Sequence, residues 1–273
     1  MTDNSPHDKP SQSQLDTSVP QSARVWNYWL GGKDNYPSDR AVGDQIRRTN
    51  PHIVEIAVAA RAFLVRAVTH LTRDVGIRQF LDVGTGLPTV NNTHEVAQAI
   101  APDSRIVYSD HDPLLLAHAR ALLVGTAEGA TDYIDADLRE PDLILDQAAK
   151  TLDFEQPIAL MLMGIVGHIP DDEEACSLVR KLVAALPSGS YLVLYDDTNV
   201  IHPETMEEMT RSWNESGQNP RVNRTPEKIA KFFDGLELLD PGVVSVSRWR
   251  PDGVEVGEVV EVDDFCGVGR KNS

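Results

Sequence analysis

An acidic residue and two glycines lie close together in the segment QFLDVGTGLP, and their types and spacing could bind a positively charged ligand. Asp82 lies near the end of a short apolar run, and Gly84, Thr85 and Gly86 follow it. Glycines at the end of a buried strand let the backbone approach a ligand closely, which a side chain would prevent. Because a carboxylate attracts cations and repels phosphates, the pattern favours a ligand with a cationic group over a nucleotide diphosphate.

Two further acids follow later predicted strands. Asp110 comes after the strand predicted at 105–109, where a carboxylate could accept hydrogen bonds from both ribose hydroxyls of an adenosine. Several adenosine cofactors share this requirement, so Asp110 does not discriminate among them. Asp137 comes after the strand predicted at 131–134, and it is either a ligand contact or an ordinary loop residue.

A parallel sheet would bring these acids together, and the sequence from Gln79 onwards alternates between strand-like and helix-like segments. Strands are predicted at 79–83, 105–109, 131–134, 157–163 and 190–195. Helices are predicted at 89–100, 113–123, 142–151, 171–186, 203–215 and 225–234. The segments 242–249 and 257–265 flank a Pro-Asp-Gly turn, which predicts a terminal antiparallel pair.

The first 76 residues differ from the rest in composition. Residues 1–22 are rich in Ser, Gln, Pro and Asp and are predicted to be a disordered tail. Residues 23–76 are predicted to form a helical cap, since a helix is expected from Asp39 to about Arg48 and apolar residues recur at helical spacing after Pro51. Within this cap, RVWNYWLGGKDNYPSDR either docks a short helix through its aromatic residues or covers a ligand with its polar ones. In the second interpretation, the residues that face the ligand are Asn27, Lys33, Asp34 and Asn35.

Five parallel strands followed by an antiparallel pair are typical of class I S-adenosylmethionine (SAM) methyltransferases, and the sequence also resembles them. Asp82-x-Gly84-x-Gly86 resembles their motif I, although Pro88 stands where a third glycine is usual. A dinucleotide dehydrogenase would have glycine at position 89, where this chain has Thr89.

Longer strings resemble a bacterial family of SAM-dependent methyltransferases that was formerly catalogued as a domain of unknown function. They are RVWNYWLGGKDNYPSDR, ARAFLVRAV, QFLDVGTGLPT, VYSDHDPLLLAHARALL, HIPDD, KIAKFFDGLELLDPGVV and WRPD. The resemblance implies an α/β, Rossmann-like fold over 77–273, with a mostly parallel seven-stranded sheet, a terminal antiparallel hairpin and an N-terminal helical extension.

The resemblance also implies SAM as cofactor and indicates which residues would contact it. The candidate contacts are Asp82, Gly84, Thr85, Gly86, Asp110, His111, Asp137, Leu138, Met163, Gly164, Tyr36 and Arg61. The first four would hold the methionine part, the next two the ribose and the following two the adenine. Met163 and Gly164 would line the methyl-transfer site, while Tyr36 and Arg61 would reach the sulfonium or the carboxylate from the cap.

The catalytic group is less defined, and His168 is the single candidate. It is either a general base or a loop histidine that precedes a helix. Neither Asn-Pro-Pro-Tyr nor Pro-Cys follows the fourth predicted strand, so the motifs of adenine-N6 and cytosine-C5 methylation are missing.

The sequence therefore predicts a SAM-dependent methyltransferase; the alternatives are a non-catalytic SAM-binding sensor or regulator and an NAD-dependent oxidoreductase. A net charge of −17 disfavours nucleic acid as a partner and favours a small-molecule acceptor. No apolar run is long enough for a membrane helix, and no secretory signal is recognisable. Cys176 and Cys266 provide neither a disulfide framework nor a metal-ligand spacing, so a cytoplasmic protein without a metal is expected. These features specify neither the acceptor nor the oligomeric state.

Overall fold

The computed structural model describes residues 17–87, 89–111, 125–216, 219–251, 253 and 259–272. Within these residues eight strands form a single sheet. They are β1 (Gln79–Val83), β2 (Arg105–Asp110), β3 (Ala130–Asp135), β4 (Ala159–Met163), β5 (Tyr191–Asp197), β6 (Glu237–Leu238), β7 (Val244–Ser245) and β8 (Asp264–Arg270). The strands β1 to β5 match the five predicted strands to within about two residues at each end. β1, β2, β4 and β5 are mainly apolar and buried, whereas β3 lies at the edge of the sheet and is only partly buried.

The order across the sheet is β3-β2-β1-β4-β5-β8-β6, with β7 paired to β8. All pairs among β1 to β5 are parallel, whereas β8 pairs antiparallel with β5, β6 and β7. The strand order reverses at β1 and β4, which is where open parallel sheets bind ligands beyond the carboxyl ends of their strands. The expected mostly parallel sheet with an antiparallel end is confirmed.

The carboxyl-terminal strands have different bounds from those predicted. The segment 242–249 contains only the two-residue strand β7, followed by a 3-10 turn at Val246–Arg248, and the last strand is 264–270 in place of 257–265. Gly267 and Gly269 let β8 pack against the ring of Phe233, since a Cβ at either glycine would lie 2.9 or 2.8 Å from that ring. β6 also pairs with β8, so the sheet has eight strands and not seven.

Eight α-helices lie within the described residues. They are α1 (Ser22–Trp29), α2 (Pro37–Thr49), α3 (Ile53–His70), α4 (Thr93–Ile100), α5 (Pro141–Ala148), α6 (Asp172–Ala185), α7 (Pro203–Glu215) and α8 (Pro226–Ala230). α4 begins four residues later than predicted, because Asn92 and Glu95 form a capping box: the Asn92 side chain accepts the backbone N–H of Glu95, and the Glu95 side chain accepts that of Asn92. The helix predicted at 113–123 and the tail residues 1–16 lie outside the described residues.

The N-terminal helices pack directly on the sheet. The buried face of α3 joins the same apolar cluster as residues of β1, β4, β5 and β8. The ring of Phe63 meets those of Tyr195 and Trp249 edge-on, at centroid distances of 6.3 and 5.4 Å. Arg66, also on α3, donates hydrogen bonds to the carbonyl oxygens of Trp249 (2.9 Å) and Val246 (2.6 Å). The division into a cap at 23–76 and a domain at 77–273 stays a prediction, and the core is continuous across it.

Candidate active site

A cavity of about 340 Å³ lies at the carboxyl ends of the parallel strands. This volume falls in the range of small-molecule sites, roughly 300–1,000 Å³. Residues of α1 and α3 also line it. The cavity brings together most of the predicted site residues, namely Arg61, Asp82, Gly84, Thr85, Gly86, Asp110, His111, Asp137, Leu138, Met163, Gly164 and His168.

The glycine turn after β1 directs its amide groups into the protein. Gly84 and Gly86 have positive φ angles, +73° and +65°, which only glycine adopts readily. The N–H of Gly84 donates to the carbonyl oxygen of Ser109 (2.7 Å), and the N–H of Gly86 donates to Oδ2 of Asp110 (2.9 Å). A dinucleotide-binding turn offers such N–H donors to a diphosphate. In this turn, both N–H groups instead donate to other groups of the protein.

Asp82 is a buried carboxyl group on the cavity wall. Its exposed fraction is 3%, and its Oδ2 accepts a hydrogen bond of 2.6 Å from the hydroxyl of Thr93. Burial raises the pKa of Asp82 to about 6, against the opposing effects of the Thr93 hydrogen bond and the positive charge of Arg61. A cationic group bound beside this carboxylate would recover the electrostatic energy that burial removes.

Acidic residues and a histidine gather where β2 and β3 end. Oδ1 of Asp110 accepts the N–H of His111 at 2.8 Å, while its other oxygen holds Gly86. Nδ1 of His111 lies 3.7 Å from a carboxylate oxygen of Asp137. Leu138 is buried beside them and supplies apolar surface to the cavity. The arrangement offers acceptors for hydroxyl and amino groups next to a flat apolar contact.

Of the two cap candidates, Arg61 reaches the cavity and Tyr36 does not line it. No residue in the described part of the chain forms a hydrogen bond or ion pair with the Arg61 guanidinium, so its donors are available to a ligand. The guanidinium of Arg24 lies 5.3 Å from the centre of the Tyr36 ring. The Tyr36 N–H donates to Asp39 at the start of α2. Trp26 lines the cavity from the same segment.

The predicted polar contacts of the cap are also directed elsewhere. Asn27 is 1% exposed, and its Oδ1 accepts the N–H of Asp34 (3.1 Å) and an amide hydrogen of Asn35 (3.0 Å). These bonds fix the bend around Gly31 and Gly32, so the described geometry supports the docking interpretation for this polar stretch.

His168 lines the cavity beyond β4, on a 3-10 turn. Its Nδ1 lies 3.2 Å from the carbonyl oxygen of Pro220, an acceptor that requires a hydrogen on Nδ1 and leaves Nε2 unprotonated. Burial lowers the pKa of His168 to about 3, and the charge of Arg221 adds to the effect. His168 is therefore uncharged at neutral pH and a weak base.

A buried network of carboxylates and arginines lies at the carboxyl end of β5. The sequence analysis did not predict this network. Asp197 pairs with Arg221 at 2.7 Å, and Asp196 pairs with Arg224 at 3.0 Å. Both oxygens of Asp264 are buried, and its carboxyl group lies beside that of Asp197. Burial, the charge of Asp197 and a hydrogen bond between the two carboxyl groups raise the pKa of Asp264 well above its ordinary value, which favours its protonated form. The signal in the sequence was the strand YLVLYDD, whose two terminal acids predict buried cationic partners.

Other cavity residues had no signal in the sequence, because their positions depend on distant pairings. They include Trp26, Ile165, Tyr195, Asn219 and Arg221. Across the ranges that the structure describes, no cluster of three or more His, Cys, Asp or Glu side chains could coordinate a metal ion. In those same ranges no helix combines the length and apolarity that a bilayer crossing requires.

Comparisons with known proteins agree with this geometry. The profile of a family described as S-adenosyl methyltransferase matches residues 8–272. A crystal structure of a DUF574 family protein from Streptomyces avermitilis is 41% identical, with a TM-score of 0.89 over 94% of this chain and 99% of that one. A candidate methyltransferase from Thermobifida fusca is 39% identical, with a TM-score of 0.87 over 95% of this chain and 97% of its own.

A more distant structure shares the fold alone. Human N-acetylserotonin methyltransferase in complex with SAM is 13% identical, with a TM-score of 0.51 over 86% of this chain and 57% of that one. No functionally curated protein matches the sequence significantly. The match over nearly the whole chain, together with the cavity at the class I switch point, shows that this protein belongs to the S-adenosyl methyltransferase family, whose cofactor is SAM.

Proposed function

We propose that this protein methylates a small-molecule acceptor that binds in the cavity beside the cofactor. The supporting observation is that the cavity extends past the contacts predicted for the adenine, the ribose and the methionine part, to residues at the ends of β4 and β5. A volume of about 340 Å³, partly lined by an N-terminal helix, suits a small ligand better than a macromolecular surface. The net charge of −17 also disfavours a nucleic-acid acceptor.

The residues at the cavity fit the cofactor. The unpaired Arg61 guanidinium and the buried Asp82 carboxylate present opposite charges, which complement the carboxylate and ammonium of an amino-acid group. Asp110 and His111 would hold the ribose, and Asp137 with Leu138 would hold the adenine. The turn from Gly84 to Gly86 would contact the methionine part with its bare backbone.

When bound, SAM supplies a methyl group on a cationic sulfur, which is already a reactive electrophile. The chain therefore contributes mainly by holding the acceptor and the methyl group in line, which can be worth several kcal/mol or more. Met163 and Tyr195 line the part of the cavity where this alignment would occur. Trp26 and Leu64 exclude water from it.

Binding and transfer measurements test the proposal together. We expect SAM, but not NADH, to raise the melting temperature of the protein. We expect label from methyl-labelled SAM to enter the low-molecular-weight fraction of a cell extract and not its nucleic acid. Stabilisation by NADH alone would support the oxidoreductase, and tight SAM binding without transfer to any fraction would support the sensor.

The affinity for SAM is predicted to rise with pH as Asp82 ionises. Below its pKa of about 6 the Asp82 carboxyl is protonated and neutral, so it does not attract the cofactor's ammonium group. The dissociation constant is therefore expected to fall by up to about tenfold per pH unit between pH 5 and 6 and then level off. Isothermal titration from pH 5 to 7 measures this change.

The matched control for this prediction is Asp82→Asn, which keeps the shape but removes the charge. Its affinity for SAM should stay at the low-pH value of the parent and show no step near pH 6. An equally steep step in the variant would show that another group controls binding.

A further inference from the structure

Carboxylates line only one part of the cavity, whereas arginines line both parts: Arg61 and Arg139 lie beside the carboxylates, and Arg221 lies apart from them. Its three carboxylates, Asp82, Asp110 and Asp137, lie at or just after the carboxyl ends of β1, β2 and β3. Among the described lining residues at the ends of β4 and β5 and in the segment 219–221, there is no carboxylate, and Arg221 supplies the one full charge. The contacts predicted for the adenine, the ribose and the methionine part lie with the carboxylates, and Met163 and Gly164, predicted to line the methyl-transfer site, lie next to them at the end of β4. The acceptor would therefore meet the part of the cavity that Arg221 lines, here called the basic side.

The guanidinium group of Arg221 supplies the positive charge on the basic side. The Arg221 side chain is 13% exposed and forms an ion pair with Asp197 through Nη2, at 2.7 Å. Its Nε is buried and has no hydrogen-bond partner among the residues that the structure describes. Asp196 and Asp264 also lie near Arg221, and burial raises the pKa of Asp264 well above its ordinary value, which favours the uncharged form of that carboxyl group. Because Nε is buried, the partly exposed end of the Arg221 side chain is the part that a ligand could meet at the cavity wall.

The other polar groups on the basic side are uncharged. Burial keeps the Tyr195 hydroxyl protonated by raising its pKa, and His168 is a neutral imidazole. A base as weak as His168 cannot efficiently remove a proton from an alcohol, a phenol or an ammonium group. An efficient acceptor here must therefore carry its nucleophilic lone pair without losing a proton in the active site.

The remaining surface of this side is apolar. Trp26, Met163 and Ile165 contribute an aromatic ring, a thioether and a branched aliphatic side chain to the lining. An ammonium acceptor would lie beside a guanidinium with no carboxylate at the wall, which is unfavourable. A carboxylate attached to an apolar body would satisfy both the cation and the apolar wall.

We propose that the acceptor is a small hydrophobic carboxylic acid, bound with its carboxylate near Arg221, and that the product is its methyl ester. This inference rests on the proposed function. A carboxylate oxygen uses a lone pair to form the new O–CH₃ bond, and the S–CH₃ bond breaks with its electron pair staying on sulfur. The products are a neutral ester and neutral S-adenosylhomocysteine, and no proton moves.

Three probes of similar size test the charge preference: 3-phenylpropionate and 3-phenylpropanamide, which have nearly the same shape, and 3-phenylpropylamine. Each is titrated into the protein saturated with S-adenosylhomocysteine, at pH 7.5. We expect the acid to bind about tenfold or more tightly than the amide, and the amine to bind most weakly. Equal binding of the three, preference for the amide or amine, or no binding by any of them overturns the inference.

A charge-neutral double variant, Arg221→Gln with Asp197→Asn, locates the preference. It removes both members of the ion pair and so leaves neither of them as an unpaired buried charge. The preference for the acid should disappear while the affinity for S-adenosylhomocysteine stays within about twofold, since the cofactor contacts are untouched. An acid preference that survives in this variant overturns the role of Arg221.

The same experiments separate this inference from the function on which it rests. If S-adenosylhomocysteine fails to bind the parent protein, the proposed function fails first. If it binds but the acid is not preferred, only the acceptor class is wrong. Any methylated product formed from labelled SAM should release its label as methanol in alkali, as methyl esters do, and an alkali-stable product would contradict the ester.

Discussion

Replacing Gly84 by alanine is expected to weaken SAM binding on the order of 100-fold, since displacing a bound group by about 1 Å can cost that much. Gly84 has a φ angle of +73°, and a Cβ built there would lie 2.4 Å from Cγ1 and 2.6 Å from Cβ of Ile165. Because Cβ of Ile165 cannot rotate away, the turn itself must move. That movement would shift Asp82 and Gly86, whose positions define the predicted methionine site.

The same substitution is also expected to reduce stability. Left-handed backbone strain costs about 1–2 kcal/mol in a residue with a side chain, and overpacking costs about 1–3 kcal/mol more. Urea denaturation measures the total, and isothermal titration of the folded fraction measures the affinity.

Gly76→Ala is the matched control for this pair of effects. Gly76 has a φ angle of +89°, but a Cβ there would have no neighbour within 4 Å. The control should therefore lose only the strain energy and bind SAM like the parent. If Gly84→Ala also binds like the parent, the turn does not contact the cofactor and the predicted methionine site is wrong.

Replacing Arg224 by glutamine is expected to have the largest effect on stability. Arg224 is 1% exposed and pairs with Asp196 at 3.0 Å. It also donates to the carbonyl oxygens of Val166 (3.0 Å) and Ile169 (2.5 Å), which flank the turn that carries His168. Removing one member of a buried ion pair costs about 3–5 kcal/mol, because the other charge is left without a partner.

The loss of stability in Arg224→Gln is predicted to depend on pH. In the folded protein the pKa of Asp196 is about 6, because burial and the charge of Asp197 outweigh the attraction of Arg224. In the unfolded chain an Asp ionises near pH ~3.9, so this group destabilises the fold as pH rises from there through 6. Without Arg224 the folded pKa rises further, so the deficit should be larger at pH 8 than at pH 5.

Two further variants make the Arg224 result interpretable. Arg224→Gln combined with Asp196→Asn should recover part of the lost stability, since no buried charge remains unpaired. Arg139→Gln, which removes a 44% exposed guanidinium from surface ion pairs, should cost less than about 1 kcal/mol. An Arg224 variant no less stable than Arg139→Gln would show that the buried pair contributes nothing to the fold.

The sheet could be predicted because its information is local. β1, β2, β4 and β5 are short, mainly apolar runs bounded by polar or turn residues, and parallel pairing follows from the intervening helices. β3 is a more polar edge strand. Predicting the strands also placed the acids Asp82, Asp110 and Asp137, because the carboxyl ends of parallel strands meet at one edge of the sheet. Their presence at the cavity therefore required only the correct strand order.

The features that the sequence did not predict depend on contacts between residues that are distant in the chain. Both Trp26 and Tyr36 lie in the aromatic segment, but only the helical phase of α1 and the capping of α2 decide which of them reaches the cavity. Arg221 is brought to the wall by Asp197, and nothing in the 23 residues between them predicts that ion pair. The bounds of β8 depend on its packing against Phe233, which no local pattern reveals.

The packing of α3 makes the N-terminal helices part of a single cooperative unit with the sheet. This one helix presents Arg61 to the cavity, Phe63 to the rings of Tyr195 and Trp249, and Arg66 to two carbonyl groups near the carboxyl terminus. Detaching α3 would expose an apolar face of the sheet and would leave the two carbonyl groups bound by Arg66 without their hydrogen-bond donors. The N-terminal helices therefore cannot move away as a rigid lid without partly unfolding the protein. Ligand exchange must instead proceed by small local movements at the rim of the cavity.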